Sequence, residues 1–80
     1  PFYFVSKFVG PDGYHDVHVD DGSCEDSPKF RDRQPIGFHL SGPQAVRYAR
    51  KHFFEQADGC KACVRGCHTR TARVMKRRYG

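Results

Sequence analysis

Eighty residues, with fourteen Lys/Arg against nine Asp/Glu and a net charge of +5, describe one small basic domain. No Trp, one Met and only two Ile/Leu residues (Ile36, Leu40) leave little aliphatic filler, so a disulfide, a metal or a partner is expected as a staple. No apolar run approaches the roughly 20 residues of a membrane helix and no secretory-leader pattern is visible, so the chain is expected to be soluble and cytoplasmic, with no membrane partner.

Phe2 to Phe8 alternates, with Phe2, Phe4 and Phe8 opposite Tyr3, Val5 and Lys7, and predicts a half-buried strand over 2–8. Gly10-Pro11-Asp12-Gly13 is turn chemistry: Pro presets the turn and Gly13 accepts a positive φ. A second alternating segment over 14–19 completes a β-hairpin. Residues 20–35 carry no period and are rich in Asp, Ser, Pro and Arg, and so long a loop in a small domain must be pinned, Cys24 being the obvious pin. A third strand is predicted over 36–40.

Ser41, Pro43 and Gln44 form a helix start: a cap, a residue tolerated in the first turn and the far half of a capping box. Ala45, Val46, Ala49, Phe53 and Ala57 recur at helical spacing, which predicts one main helix over 43–57 with Arg47, Arg50 and Lys51 outside. Gly59 reads as its left-handed cap, and the helix would deliver Cys60 directly. Residues 69–80 read as a short helix capped by Thr69 or as a basic tail. The expected class is α+β: a small antiparallel sheet of about three strands and one helix in a single domain over 1–68, followed by a basic segment.

Residues 59–68 hold three of the four cysteines, Cys60, Cys63 and Cys67, together with His68. A Cys-x-x-Cys pair and a distant His18/Cys24 pair have the spacing of a tetrahedral Zn2+ site built from two segments. Two ligand sets compete: His18, Cys24, Cys60 and Cys63, or Cys24, Cys60, Cys63 and Cys67. His68 can stand in for Cys67, and His15 for His18 only if the strand twists. Such a cross-link supplies several kcal/mol of folding free energy, within the roughly 10–16 kcal/mol seen for structural zinc peptides. A thioredoxin-like dithiol at Cys60 and Cys63 is disfavoured, because such pairs open a helix and this one is predicted to follow a helix C-terminus. Structural disulfides require an oxidising compartment. The acids at 12–26 read as a solvated loop rather than a catalytic dyad or a calcium site.

The order Val17-His18 and Cys24, then Ile36-Gly37-Phe38-His39, Gln44-Ala45-Val46 and Asp58-Gly59-Cys60-x-x-Cys63, resembles a group of small bacterial metal-binding domains. They include the N-terminal zinc domain of the Ada DNA-repair protein and His/Cys modules attached to some bacterial nucleases. The ending Cys67-His68-Thr69-Arg70 is similar to that of short bacterial Cys/His-rich proteins. The resemblance spans roughly residues 3–70 and implies His18, Cys24, Cys60 and Cys63 as ligands. The chain departs from it in two ways. Five residues separate His18 from Cys24, where those modules keep three, and Cys67-His68 adds a rival pair. The methyl-accepting chemistry of Ada does not carry over, since no equivalent reactive site is identified.

Charge divides the chain. Residues 1–40 carry four Lys/Arg against seven acids, a net −3; residues 41–80 carry ten against two, a net +8. The expected function is a structural zinc module that binds nucleic acid or another polyanion through Arg47, Arg50, Lys51, Arg65, Arg70, Arg73, Lys76, Arg77 and Arg78. The alternatives are an adaptor for an acidic protein partner and a small thiol- or metal-dependent enzyme.

Overall fold

The structure, a computed structural model, describes residues 1–25 and 27–64. The predicted C-terminal helix or tail, Cys67, His68 and the cations from Arg65 onward lie outside the described residues. The elements in chain order are β1 (Phe2–Ser6), β2 (His15–Val19), a 3-10 turn (Phe30–Asp32), β3 (Arg33–Phe38), α1 (Gly42–His52) and β4 (Ala57–Gly59). No described helix is long and apolar enough to cross a membrane.

The strands form one mixed sheet in the order β3-β1-β2-β4. β1 is antiparallel to β2 and to β3, whereas β4 lies parallel to β2. The hairpin turn follows its sequence: Gly13 sits at φ +82°, its N–H donates to Gly10 O at 2.9 Å, and Tyr14 N–H donates to Asp12 Oδ1 at 3.2 Å. β1 ends at Ser6, whose hydroxyl donates to Phe8 O at 2.9 Å, so Phe8 falls outside the strand and is exposed. β1 is central and covered on both faces, unlike the half-buried strand expected. Tyr3 and Val5 join the core beneath α1, Phe4 is buried on the opposite face, and Phe2 is exposed.

The third strand starts and ends earlier than its predicted 36–40. Its register against β1 shifts between Tyr3 and Phe4: Tyr3 faces Gly37 while Phe4 faces Pro35, leaving Ile36 as the extra residue. Gly37 at φ +84° permits this bulge, which turns Ile36 into the core. Pro35 is tolerated because β3 is an edge strand.

α1 begins as predicted. Ser41 Oγ accepts from Gln44 N–H at 3.4 Å, and Gln44 Oε1 accepts from Leu40 N–H at 2.8 Å. Ala45, Val46 and Ala49 are buried against Tyr3, Val5, Val17 and Ile36. The helix does not run to 57. Phe53 and Phe54 N–H both donate to Ala49 O at 2.9 Å, and the chain leaves the helix there. Phe54 stacks on His15, with ring centroids 3.8 Å apart and planes 7° apart, so a tertiary contact overrides the helical period. Residues 57–59 become the fourth strand, and Gly59 is not a left-handed cap.

Candidate metal centre

Four side chains from three segments converge beside β2. His18 lies on β2, on the opposite face from Val17, and its ring stacks on Phe4 at 5.2 Å between centroids. The Arg33 guanidinium covers the Phe4 ring at 4.6 Å and is fixed by donating from Nε to Pro28 O at 2.9 Å. Phe4 is therefore clamped between a cation and an imidazole, and it supports His18 from behind.

Cys60 is delivered by a strand and not by a helix. Ala57, Asp58 and Gly59 pair with His15, Asp16 and Val17 in parallel register, and Cys60 N–H then donates to Val17 O at 3.0 Å. This ladder places Cys60 alongside His18. Asp58 anchors it: its buried carboxylate accepts from Gly59 N–H at 3.0 Å and from the Arg50 guanidinium at 3.3 Å. Arg50 also donates to Ala57 O at 2.8 Å, so α1 and β4 are tied together through one side chain.

After Cys60 the chain makes one tight turn, closed by Val64 N–H donating to Cys60 O at 2.8 Å, which brings Cys63 back to the cluster. Ala62 N–H points at Cys60 Sγ at 3.4 Å. Cys24 arrives from the other side, where Gly22 at φ +77° and the acceptor Asp21 Oδ1 bend the chain back after β2. The Ser23 hydroxyl and amide on Asp21 hold its carboxyl below the usual range.

Cys24 Sγ lies 3.5 Å from His18 Nδ1 and 3.7 Å from Cys60 Sγ, and Cys63 Sγ lies 3.7 Å from His18 Nδ1. All four ligand atoms fall within 4.8 Å of one another. With Zn–S near 2.3 Å and Zn–N near 2.05 Å, a regular tetrahedron has edges of about 3.8 Å between sulfurs and about 3.6 Å between sulfur and nitrogen. These three separations match those edges. They exclude a Cys24–Cys60 disulfide, and all three described cysteines are free thiols. Among the described residues no other group of His, Cys, Asp or Glu forms such a cluster.

Burial, first of all, pushes the Cys60 and Cys63 thiols up, Cys63 to about 12, and the neighbouring thiols add to it. The pair follows β4, so the helix-end argument against a redox dithiol does not apply. The thiols instead argue against it themselves, being raised where a redox pair is lowered. A bound cation reverses this logic by stabilising thiolates directly.

His15 and His39 take no part in the cluster: each ring turns to a backbone carbonyl, His15 Nδ1 to Ser6 O at 2.8 Å and His39 Nε2 to Ile36 O at 2.7 Å. On one side the centre opens into a cavity of about 490 Å³ lined by Val19, Asp21, Ser23, Cys24, Glu25, Ala62 and Cys63. Of the described cations named for polyanion binding, Arg47 and Lys51 are exposed on α1, whereas Arg50 is drawn inward by Asp58 and Ala57. Sequence reasoning missed β4 and the anchoring role of Asp58. No family model, curated protein or solved structure matches the chain.

Proposed function

We propose that the chain is a structural zinc-binding module in which His18 Nδ1 and the thiolates of Cys24, Cys60 and Cys63 hold one Zn2+. The observation that carries this reading is the convergence of one nitrogen and three sulfurs within 4.8 Å of one another, with His18–Cys24, His18–Cys63 and Cys24–Cys60 at 3.5 to 3.7 Å, the edge lengths of a zinc tetrahedron. Three sulfurs favour a soft or borderline cation, and four protein ligands leave no open position for substrate, which fits a structural role better than a catalytic one. The ion would join the 20–32 loop, β2 and the turn after β4.

A native mass spectrum of the purified chain tests this. One zinc per chain is expected in the wild type and in Cys67→Ser, with zinc lost in Cys24→Ser and His18→Ala. Retention in His18→Ala together with loss in Cys67→Ser would assign the fourth ligand to Cys67.

The basic half supports a second element of the reading: the module contacts nucleic acid or another polyanion. Residues 41–80 carry a net +8, a charge that favours phosphate backbones. Binding should fall steeply with added salt, and capture of an acidic protein that survives nuclease treatment would favour the adaptor instead.

A further inference from the structure

α1 carries a second surface that the metal centre does not use. Gln44, Arg47, Tyr48 and Lys51 stand at i, i+3, i+4 and i+7, one stripe on the helix face opposite the buried Ala45 and Ala49. With His39 and His52 they line a shallow groove that is open to solvent.

Two independent features of this groove point to its ligand. The first is charge. No Asp or Glu occurs between Asp32 and Glu55, so the cations Arg47 and Lys51 act on solvent without a carboxylate from their own stretch of chain. The cavity beside the metal centre is the reverse, lined by Asp21 and Glu25. Among the described residues, an anion is therefore favoured at α1 over the cavity lined by Asp21 and Glu25. The second is the aromatic surface. Tyr48 keeps 39% of its area exposed, and its ring is braced by His39 at 4.9 Å and His52 at 4.3 Å between centroids. His39 is itself fixed by its 2.7 Å bond to Ile36 O, so the platform is held in place before a ligand arrives. Gln44 adds an Nε2 donor, its Oε1 being held by Leu40 N–H. An acidic peptide needs the cations but has no use for a braced ring.

We infer that the α1 groove binds single-stranded nucleic acid, with one base stacked on Tyr48 and the adjoining phosphates on Arg47 and Lys51. This rests on the polyanion reading above and localises it to residues 39–52. Stacking on one aromatic side chain and contact with two phosphates give weak, sequence-tolerant and salt-sensitive binding.

The test is fluorescence anisotropy of the full zinc-loaded chain with labelled oligothymidylate and oligouridylate, an abasic strand of the same length, a duplex, and polyglutamate. The wild type should prefer both base-bearing single strands to the abasic strand and to the duplex. Tyr48→Ala should weaken them roughly 10-fold while Tyr48→Phe retains binding. Arg47→Gln combined with Lys51→Gln should lower the log–log salt slope by about 1.4, at about 0.7 per phosphate contact. Comparison with oligouridylate distinguishes RNA from DNA as the source. Two results would overturn the groove while leaving the polyanion reading intact: abasic and base-bearing strands bound equally, or a slope unchanged in the double variant. Failure of every strand and of polyglutamate to bind at low ionic strength would overturn both, whereas capture of polyglutamate alone would overturn the groove and favour the adaptor. Should Tyr48→Ala unfold, seen by circular dichroism, the wild-type abasic comparison and the double variant of two exposed residues still decide the matter.

Discussion

Substituting Asp58 by Ala tests the claim that this buried carboxylate anchors the strand carrying Cys60. The Asp58 side chain is 0% exposed and accepts from both Gly59 N–H and Arg50, while the Arg50 side chain keeps 36% of its surface. Removing one partner of a buried pair typically costs about 3–5 kcal/mol. The contact here is 3.3 Å, longer than a strong charge-assisted bond, and Arg50 can turn to water. Both facts place the expected loss at the low end, about 3 kcal/mol. A domain of this size has a total stability of about 5 kcal/mol or little more, so the loss is a large share of it. In urea, with a slope near 1 kcal/mol/M, the midpoint of the zinc-loaded chain should fall by about 2–3 M. Arg50→Ala should also destabilise, and the double variant should cost less than the two singles together, with a coupling of about 1–2 kcal/mol. Two single variants that each cost under about 0.5 kcal/mol and simply add would refute the argument, because they would behave like an exposed surface pair.

Other consequences follow from the same structure. Burial raises Cys60 and Cys63, so in the metal-free protein the unfolded chain loses these protons first as pH climbs. The metal-free fold should hold its thiol contribution below the ordinary thiol value near pH 9 and lose it as pH rises toward 12, whereas the zinc-loaded chain should not show this alkaline loss; pH-dependent denaturation with and without chelator checks it. Phe4→Ala removes the 2%-exposed ring between His18 and Arg33, and should cost about 3–5 kcal/mol by urea unfolding and weaken metal retention against a chelator. Gly37→Ala should cost about 1–2 kcal/mol by thermal unfolding, from backbone strain alone, because its φ is +84° and nothing lies within 4 Å of an added Cβ.

Local rules carried the sequence reading where local chemistry decides the structure. The Gly10–Gly13 turn, the Ser41/Gln44 helix start and the buried Ala45, Val46 and Ala49 all follow from neighbours in sequence. The α+β class followed from them. The reading failed where contacts between distant segments won. Phe53 and Ala57 continue the apolar stripe of α1, and no Gly or Pro breaks it before Gly59. Only the stacking of Phe54 on His15 and the parallel ladder with β2 end the helix at His52, and neither leaves a period in the sequence. The bulge at Ile36–Gly37 is similar: Gly37 signals it, but its effect is fixed by the partner strand. For the candidate site, spacing alone singled out Cys24, Cys60 and Cys63 but left His18 and Cys67 as rivals. Geometry is what brings His18 Nδ1 to 3.5 Å from Cys24 and 3.7 Å from Cys63. Asp58 does not read as an anchor from the sequence, because its partner Arg50 has the spacing of one more outward-facing cation on α1.

The central claim is that one zinc ion sits among one nitrogen and three sulfurs, and zinc-edge X-ray absorption of the purified chain measures that shell directly. The account predicts three sulfurs at about 2.3 Å and one nitrogen at about 2.0–2.1 Å, with the nitrogen signal lost in His18→Ala. A shell of four sulfurs, a shell rich in oxygen, or a chain that carries no metal would contradict it.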